Sequence, residues 1–269
     1  TSGAWLLAGM SHPSFILSSF EFMAAMCRRN STYNTSIPTF NSHGTSDNLQ
    51  NYQCSCDGPT KMIDRFGYHI TGCKKDANAI RLHDNVVHIL VMLFRLLGLS
   101  VALEPMNIFQ NHEPDDNRRP DILIRNPYGG GKQIIIDVAV TGIDGTTRRN
   151  DDKPNQPLVA RRKQKKGKYG PTAKLNGLAF FAAIFSYNGE MDVVIKNLLL
   201  QQIKYKLQLV DGEVKKSKVR AIMKLCVRHI SAAINRSASR NIFLKATKMV
   251  NVARHTQQNF SSSTSCDLT

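Results

Sequence analysis

The spacing of apolar residues along the chain predicts two helices in its first hundred residues. Residues 14–29 carry an apolar stripe at helical spacing, and the polar residues 30–51 follow as a linker. Residues 76–98 carry the strongest helical stripe of the chain, with Gly98 as a C-terminal stop. We expect this second helix to pack on a sheet.

Four short apolar runs predict strands. Residues 99–104 have the pattern of a strand that Pro105 closes, and residues 177–186 form an uninterrupted apolar run typical of a buried strand. Residues 121–125 and 133–141 are rich in β-branched side chains, and a glycine-rich turn joins them. These last two runs therefore predict a β-hairpin.

Two further helical segments are basic. The first covers residues 157–169, with Asn155 as its cap and Gly170-Pro171 just beyond its predicted end. The second covers residues 193–254 and has a cationic surface. The order of helices and strands predicts the α/β class, with a mixed sheet flanked by helices and a helical C-terminal part.

Composition and charge narrow the possible functions. The chain has 269 residues, 42% of them hydrophobic, and its 36 Lys and Arg against 20 Asp and Glu give a formal net charge of +16. This length allows one full core with an appendage, or two small domains. A basic excess of this size indicates a polyanionic partner, since Lys and Arg neutralise phosphates and release counterions. A merely soluble basic surface is the alternative interpretation.

The sequence predicts an intracellular protein without a membrane partner. Its longest apolar stretch, residues 86–97, is interrupted by His88 and Arg95 and is shorter than the ~20 residues that span a bilayer. Residues 4–10 are apolar but lack the basic region and the cleavage pattern of a secretory signal. Because the chain starts at Thr1 and ends in a polar tail, we expect it to be a fragment of a longer product.

A cluster of cysteine and histidine residues suggests a metal site. Cys54-x-Cys56 is followed, after twelve residues, by His69-x-x-x-Cys73. In an intracellular protein, four such ligands in two close pairs suit tetrahedral Zn²⁺. The alternative is that they are ordinary core cysteines and a surface or buried histidine, and the Cys-x-Cys spacing is tighter than usual.

Two aspartates in the predicted hairpin form the candidate catalytic centre. If the turn is centred on Gly129, antiparallel partners sum to 258, as the positions of Asp121 and Asp137 do. Their carboxylates would then face each other with Cβ atoms about 5 Å apart. Such a pair needs a cation between its members, and a hard divalent ion such as Mg²⁺ fits. Alternatively, Asp121 is a turn residue and Asp137 pairs with an arginine, and a one-residue slip in register would separate the two.

Basic residues and one further acid complete the candidate site. Lys165 and Lys168 share a face of the basic helix, and either can offset negative charge that develops on a phosphate. Glu104 is a possible third acid, or only an exposed strand end. The residues assigned to nucleic-acid binding are Arg118, Arg119, Arg161, Arg162, Lys163 and Lys166. Those on the helix have the alternatives of a solvated face or a nuclear localisation run.

The motifs occur in a familiar order along the chain: the Cys/His set, Arg119-Pro120-Asp121-Ile122, Ile136-Asp137-Val138 and Lys165-x-x-Lys168-Tyr169. This order resembles the C-terminal part of site-specific non-LTR retrotransposon proteins over roughly residues 14–200. In that family a Cys-Cys-His-Cys zinc knuckle precedes a restriction-endonuclease-like domain of the PD-(D/E)xK fold. That domain nicks target DNA by phosphodiester hydrolysis, which primes reverse transcription.

The resemblance implies a domain layout, a set of site residues and a cellular setting. Asp121 and Asp137 would be metal ligands, and Lys165 or Lys168 the displaced catalytic lysine, because Ala139 occupies the usual lysine position after Asp137. The implied partners are DNA, element RNA and the upstream reverse transcriptase part of the same polypeptide, in the nucleus. The implied divisions are an N-terminal helix and linker at 1–50, the zinc knuckle at 51–75, the endonuclease-like domain at 76–200, and a basic helical region with a polar tail at 201–269.

Three functional hypotheses follow from the sequence. The first is a Mg²⁺-dependent DNA endonuclease domain. The second is a non-catalytic nucleic-acid-binding module, a degenerate relic of a retroelement, in which the aspartates are structural. The third is an interaction protein whose C-terminal helices, residues 193–254, pack against a partner.

Overall fold

The structure, a computed structural model, describes residues 17–30, 53–54, 61–62, 68–73, 77–110, 118–127, 130–142 and 156–263. The chain divides into two compact units. Among the described residues the first unit is Ile80–Asn235 without its gaps, and the second combines residues from Leu17–Ala79 with those from Arg236 onward. No helix in these described ranges has the length and apolarity that crossing a membrane requires.

The described residues form helices and strands in a mixed order. The helices are α1 (Ser19–Asn30), α2 (Tyr68–Gly72), α3 (Asn78–Leu96), α4 (Gln156–Leu175), α5 (Val193–Asp211) and α6 (Lys216–Ser263). The strands are β1 (Gln53–Cys54), β2 (Lys61–Met62), β3 (Val101–Leu103), β4 (Ile122–Ile124), β5 (Ile134–Thr141) and β6 (Ala179–Ser186).

The first unit contains a four-stranded mixed sheet in the order β3-β4-β5-β6. The first three strands pair antiparallel, and β6 runs parallel to β5. Parallel neighbours need a crossover between them, and α4 supplies it. The predicted α/β class, with a mixed sheet flanked by helices, is confirmed.

Side chains of the sheet alternate between two packed faces. On β5, Ile134, Ile136 and Val138 belong to the larger core, which α3, α5 and the first part of α6 cover. Ile135 and Ala139 point to the opposite face, where they pack with buried residues of α4. Since successive strand residues point to opposite faces, Asp137 lies on the α4 side.

The basic helix is longer than the sequence predicted. An end at residue 169 was expected because of Gly170-Pro171, but α4 continues to Leu175 with Pro171 inside it. Proline inside a helix costs about 3 kcal/mol. Here the turn around it is held by the buried residues Tyr169, Thr172 and Ala173, so tertiary packing outweighs the local preference. The predicted cap Asn155 lies outside the described residues.

Two other predicted boundaries differ for local reasons. The strand expected over residues 99–104 is only Val101–Leu103, because Glu104 has a left-handed φ of 43° that ends the extended conformation. The helix expected from residue 14 begins at Ser19. There the backbone N–H of Glu21 donates to Ser18 Oγ at 3.2 Å, and the N–H of Ser18 donates to Glu21 Oε2 at 2.9 Å. This reciprocal capping box starts the helix.

The second unit has its own buried polar contacts. Glu21, with 6% exposure, forms an ion pair with Arg240 at 2.8 Å, and its carbonyl accepts a hydrogen bond from Ser239 Oγ at 3.1 Å. Asn241 Nδ2 donates to the Asn78 carbonyl at 2.9 Å. These bonds join residues more than 150 positions apart, and no pattern in the sequence indicated them.

Candidate active site

The two aspartates of the hairpin meet as the register predicts. Ile122 pairs with Ile136 and Ile124 with Ile134, so the positions of each pair sum to 258. Continuing the ladder by one residue places Asp121 opposite Asp137, and the register prediction is confirmed. Asp137 is almost fully buried, with 3% exposure.

Asp121 is anchored to the neighbouring strand. Its Oδ2 accepts a hydrogen bond from the backbone N–H of Val138 at 2.5 Å, directly after Asp137. The same oxygen lies 3.3 Å from His83 Nε2, which α3 contributes. Because both contacts use Oδ2, neither of them occupies the second carboxylate oxygen, Oδ1.

His83 is a site residue that sequence reasoning missed. Its Nδ1 lies 3.1 Å from Asp84 Oδ1, so the ring stands between two carboxylates. The hydrogen bond to Asp121 is the largest effect and raises the pKa of His83 to about 9, although burial opposes this shift. At neutral pH the ring is therefore an imidazolium that donates from both nitrogens. The sequence carried one signal for His83: it directly follows Leu82, a buried residue of α3.

Lys165 of α4 is the lysine that reaches the acidic pair. Its Nζ lies 2.5 Å from Asp137 Oδ2, and its side chain is only 16% exposed. Tyr169, one helical turn later on the same face, also interacts with the Asp137 carboxylate through its hydroxyl. The Tyr169 ring stacks on Phe180 with centroids 5.6 Å apart. A lysine and a tyrosine thus flank Asp137, instead of the arginine that the alternative interpretation assumed.

Burial dominates the electrostatics of Asp137. Desolvation raises the pKa of its carboxyl, the ion pair with Lys165 lowers it, and the charge of Asp121 raises it again. The net shift is upward. Its Oδ2 accepts no hydrogen bond of normal geometry from any described residue, so the contact with Lys165 is an ion pair. The Lys165 ammonium therefore compensates the charge of this buried oxygen.

Lys168, the other candidate lysine, points elsewhere. Its Nζ lies 4.8 Å from the centre of the Tyr169 ring, a cation–π contact. Its backbone carbonyl accepts a hydrogen bond from Arg118 Nη1 at 2.6 Å, and Arg118 Nη2 donates to Thr172 Oγ1 at 2.7 Å. Arg118 therefore holds the segment that precedes Asp121 against α4, which is a positioning role.

The remaining predicted residues lie around this centre in different settings. Glu104 pairs with Arg119 at 3.1 Å, and both side chains are about half exposed, at 49% and 48%. Arg162 Nη1 donates to both carboxylate oxygens of Asp192, at 2.7 and 2.8 Å. Lys163 and Lys166 are exposed on α4, and Arg161 donates to Gln164 on the same helix.

The predicted zinc ligands are described only in part. Cys54 is in β1, which pairs with β2 as a small hairpin, and His69 is in the short helix α2. Cys73 follows α2 and is buried, with 3% exposure. Cys56 lies outside the described residues, and within them no group of three or more His, Cys, Asp and Glu side chains converges on a metal position. The zinc site stays a prediction.

The donor set of the acidic pair suits a hard divalent cation. Asp121 offers an oxygen that neither His83 nor Val138 uses, and Asp137 offers a buried carboxylate whose Oδ2 is in contact with the Lys165 ammonium. Mg²⁺ is commonly held by one or two carboxylates, with waters and phosphate oxygens as its other ligands. Among the described residues no group of three or more His, Cys, Asp and Glu side chains forms a metal position, and Mg²⁺ does not require one, since two carboxylates can hold it.

Comparison of the chain with models of protein families and with curated proteins found no match in either case. The geometry of the Asp121–Asp137 pair and its partners is therefore the basis for assigning a function.

Proposed function

We propose that this chain is a metal-dependent DNA endonuclease domain with its centre at Asp121 and Asp137. The observation that carries the proposal is the pairing of these carboxylates across the β4–β5 hairpin, with Lys165 of α4 at Asp137. Paired acids with a neighbouring lysine are suited to phosphodiester hydrolysis, where negative charge builds up on the phosphate.

Each residue has a distinct task in the proposed reaction. Asp121 and Asp137 would hold Mg²⁺, which when bound polarises the scissile phosphate and makes its bound water more acidic. The Lys165 ammonium, 2.5 Å from Asp137, is close enough to move onto a phosphate oxygen and offset its developing charge. His83 and the Val138 N–H fix the orientation of Asp121.

The surface of α4 supports binding of a polyanion beside this centre. Lys163, Lys166 and Lys168 are exposed on the helix that carries Lys165. Exposed lysines bind phosphates without reading the base sequence and position the duplex. Arg162 contributes less, because Asp192 already neutralises its charge.

The test is conversion of supercoiled plasmid to nicked circles by the purified chain, with Mg²⁺ or with EDTA. We expect Mg²⁺-dependent nicking that Asp137→Asn abolishes, because the amide cannot replace a negatively charged metal ligand. Glu190→Gln is the matched control, since it removes a carboxylate at the turn after β6, away from the acidic pair. Nicking at the wild-type rate by Asp137→Asn would overturn the proposal.

A non-catalytic nucleic-acid-binding module is the second candidate. One observation favours it: each aspartate already has a cationic partner, His83 at Asp121 and Lys165 at Asp137. Such pairs also occur as structural networks in buried sites. This candidate predicts plasmid binding on a gel, weakened by salt, with no Mg²⁺-dependent nicking at any protein concentration.

The retroelement setting rests on the sequence resemblance alone. It comprises nicking that primes reverse transcription, an upstream polymerase part and a nuclear location, whereas the zinc site is also predicted by the spacing of the Cys and His residues. The i, i+4 spacing of His69 and Cys73 at α2 is compatible with a shared metal. We expect about one zinc per chain by elemental analysis after dialysis, lost in Cys56→Ser and retained in Cys266→Ser. Zinc-free wild-type protein would contradict the knuckle.

A further inference from the structure

A second candidate binding surface lies along α5 and the turn that precedes α6. An open cleft of about 290 Å³ is lined there by Gln201, Lys204, Tyr205, Gln208 and Val214. None of these residues belongs to the Asp121–Asp137 centre. The volume lies just below the ~300–1,000 Å³ of pockets for drug-sized ligands, so a single base has room in the cleft.

The cleft residues form one exposed face of α5. Gln201, Lys204, Tyr205 and Gln208 have helical spacing of three, four and seven, and all four are exposed. The opposite face of α5 is buried in the core of the unit, through residues such as Leu199 and Ile203. The cleft is therefore held by a helix that is itself fixed in place.

Tyr205 places an exposed aromatic ring on this face. Its side chain is 39% exposed although it is aromatic, and amide side chains stand one turn before it and close after it on the same face. An exposed ring is a platform on which another flat ring can stack, and an amide can hydrogen-bond to the edge of that ring. Gln208 Nε2 already donates to the Gly212 carbonyl at 2.8 Å, so Gln201 is the amide assigned to this contact. Nucleobases have both a flat face and polar edges.

The surrounding charge is strongly positive. Residues 204–228 contain eight Lys and Arg against two Asp and Glu. Both acids are already engaged, Asp211 with Lys218 at 2.8 Å and Glu213 with Lys215 at 2.8 Å. The field around the cleft therefore attracts a polyanion.

We propose that the Tyr205 cleft binds single-stranded nucleic acid, with one base stacked on Tyr205 and the phosphate backbone beside Lys204 and the basic start of α6. A duplex is a poor occupant because its base faces are covered by neighbouring pairs. An acidic peptide would satisfy the charges but has no flat ring for Tyr205. The site is independent of the proposed nuclease centre and adds a second nucleic-acid contact to the chain.

The experiment is fluorescence anisotropy of labelled single-stranded RNA and DNA oligonucleotides with the full chain in EDTA, where no metal-dependent cleavage occurs. Stacking on an aromatic side chain contributes about 1–3 kcal/mol per base. Tyr205→Ala should therefore raise the Kd by about 5- to 150-fold, and Tyr205→Phe should keep most of the affinity. Lys204→Gln should weaken binding and lower its salt dependence.

Matched controls on the same helix separate the cleft from general charge and folding effects. Lys196→Gln removes one exposed positive charge off the cleft face, and Val210→Ala truncates a side chain with 64% exposure that does not line the cleft. Both should bind the oligonucleotides like the wild type. Unchanged affinity in Tyr205→Ala overturns the proposal.

Competition identifies the occupant. Unlabelled RNA and single-stranded DNA, added separately, show which of the two the cleft prefers. Duplex DNA or an acidic peptide that displaces the labelled oligonucleotide at equal or lower concentration would overturn the proposal. Asp137→Asn should bind the oligonucleotides normally, so failure of the nuclease and failure of this site give different results.

Discussion

At the scale of single residues, the acidic centre is controlled by burial and by direct partners. Asp137 is buried, and its pKa is raised although Lys165 is in contact with it. A charge in such a place is costly, and removing one member of a buried pair leaves the other uncompensated. Buried charged groups with perturbed pKa values cluster at functional sites, which supports a functional role for this pair.

Lys165→Met tests the residue that α4 delivers to Asp137. We expect nicking to fall by about 100-fold or more, as when other charge-stabilising donors are removed from active sites. Lys174→Met removes an exposed lysine near the end of the same helix and should nick normally. Equal rates for the two variants in the plasmid assay would show that Lys165 is structural.

His83 should make stability dependent on pH. Its folded pKa is raised to about 9 from 6.5, so its contribution is fully present below about pH 6.5 and is lost as pH rises through 9. With solvent contact at the 31% exposed ring, we expect about 1–2 kcal/mol. Urea unfolding in EDTA should show this decline in the wild type and a flatter profile in His83→Gln.

The control for this pH profile is His88→Gln, which changes an exposed histidine on the same helix. It should keep the decline of the wild type between pH 6.5 and 9. A His83→Gln profile that parallels the wild type would show that the contact with Asp121 does not cause the pH dependence of stability.

At the scale of elements, the β4–β5 hairpin and α4 build the site together. The hairpin register brings the two aspartates opposite each other, and α4 crosses from β5 to β6 over the face that carries Asp137. Arg118 then ties the approach to β4 onto α4. Without α4, the hairpin would leave its carboxylates exposed to water and without Lys165.

The turn between β6 and α5 has a close contact that can be tested. Gly189 has a φ of +79°, and a Cβ there would lie 2.4 Å from Ser231 Oγ in α6. Gly189→Ala should therefore cost about 2–4 kcal/mol, from backbone strain and overpacking together. Gly177 has a similar φ of +68° with nothing within 4 Å, so Gly177→Ala should cost only about 1 kcal/mol. Urea unfolding compares the two, and equal losses would contradict the contact.

At the scale of the whole molecule, the net charge and the binding of a cation affect the association with nucleic acid and the stability of the fold. The net charge of +16 favours association with nucleic acid, and it costs folding free energy through self-repulsion. A cation held at the acidic pair binds only where β4 and β5 are assembled. Binding to the folded state alone therefore stabilises the fold.

Mg²⁺ should raise the melting temperature through this linkage. At ten times its Kd, a ligand that binds only the folded state adds about 1.4 kcal/mol, or roughly 3–6 °C for a domain of this size. Differential scanning fluorimetry should show the increase in the wild type and in Glu190→Gln, and none in Asp137→Asn. An equal increase in all three proteins would place Mg²⁺ somewhere other than the acidic pair.

The sequence by itself determined the periodic elements and the local pairings. Apolar spacing identified α3 and the four sheet strands, because burial of one face imposes a period that is visible in the residues. The register of the hairpin followed from the position of its glycine-rich turn, so the pairing of Asp121 with Asp137 was predictable. At Pro171 the local sequence predicted the end of the helix, but tertiary packing continues α4 to Leu175.

Only the tertiary structure decided which distant side chains join the pair. Lys165 rather than Lys168 meets Asp137, and His83 meets Asp121, because these contacts depend on how α4 and α3 lie on the sheet. The Tyr205 cleft likewise requires α5 and the turn before α6 to come together. Helices and strands produce a periodic pattern of apolar residues in the sequence. Contacts between residues far apart in sequence produce no such pattern.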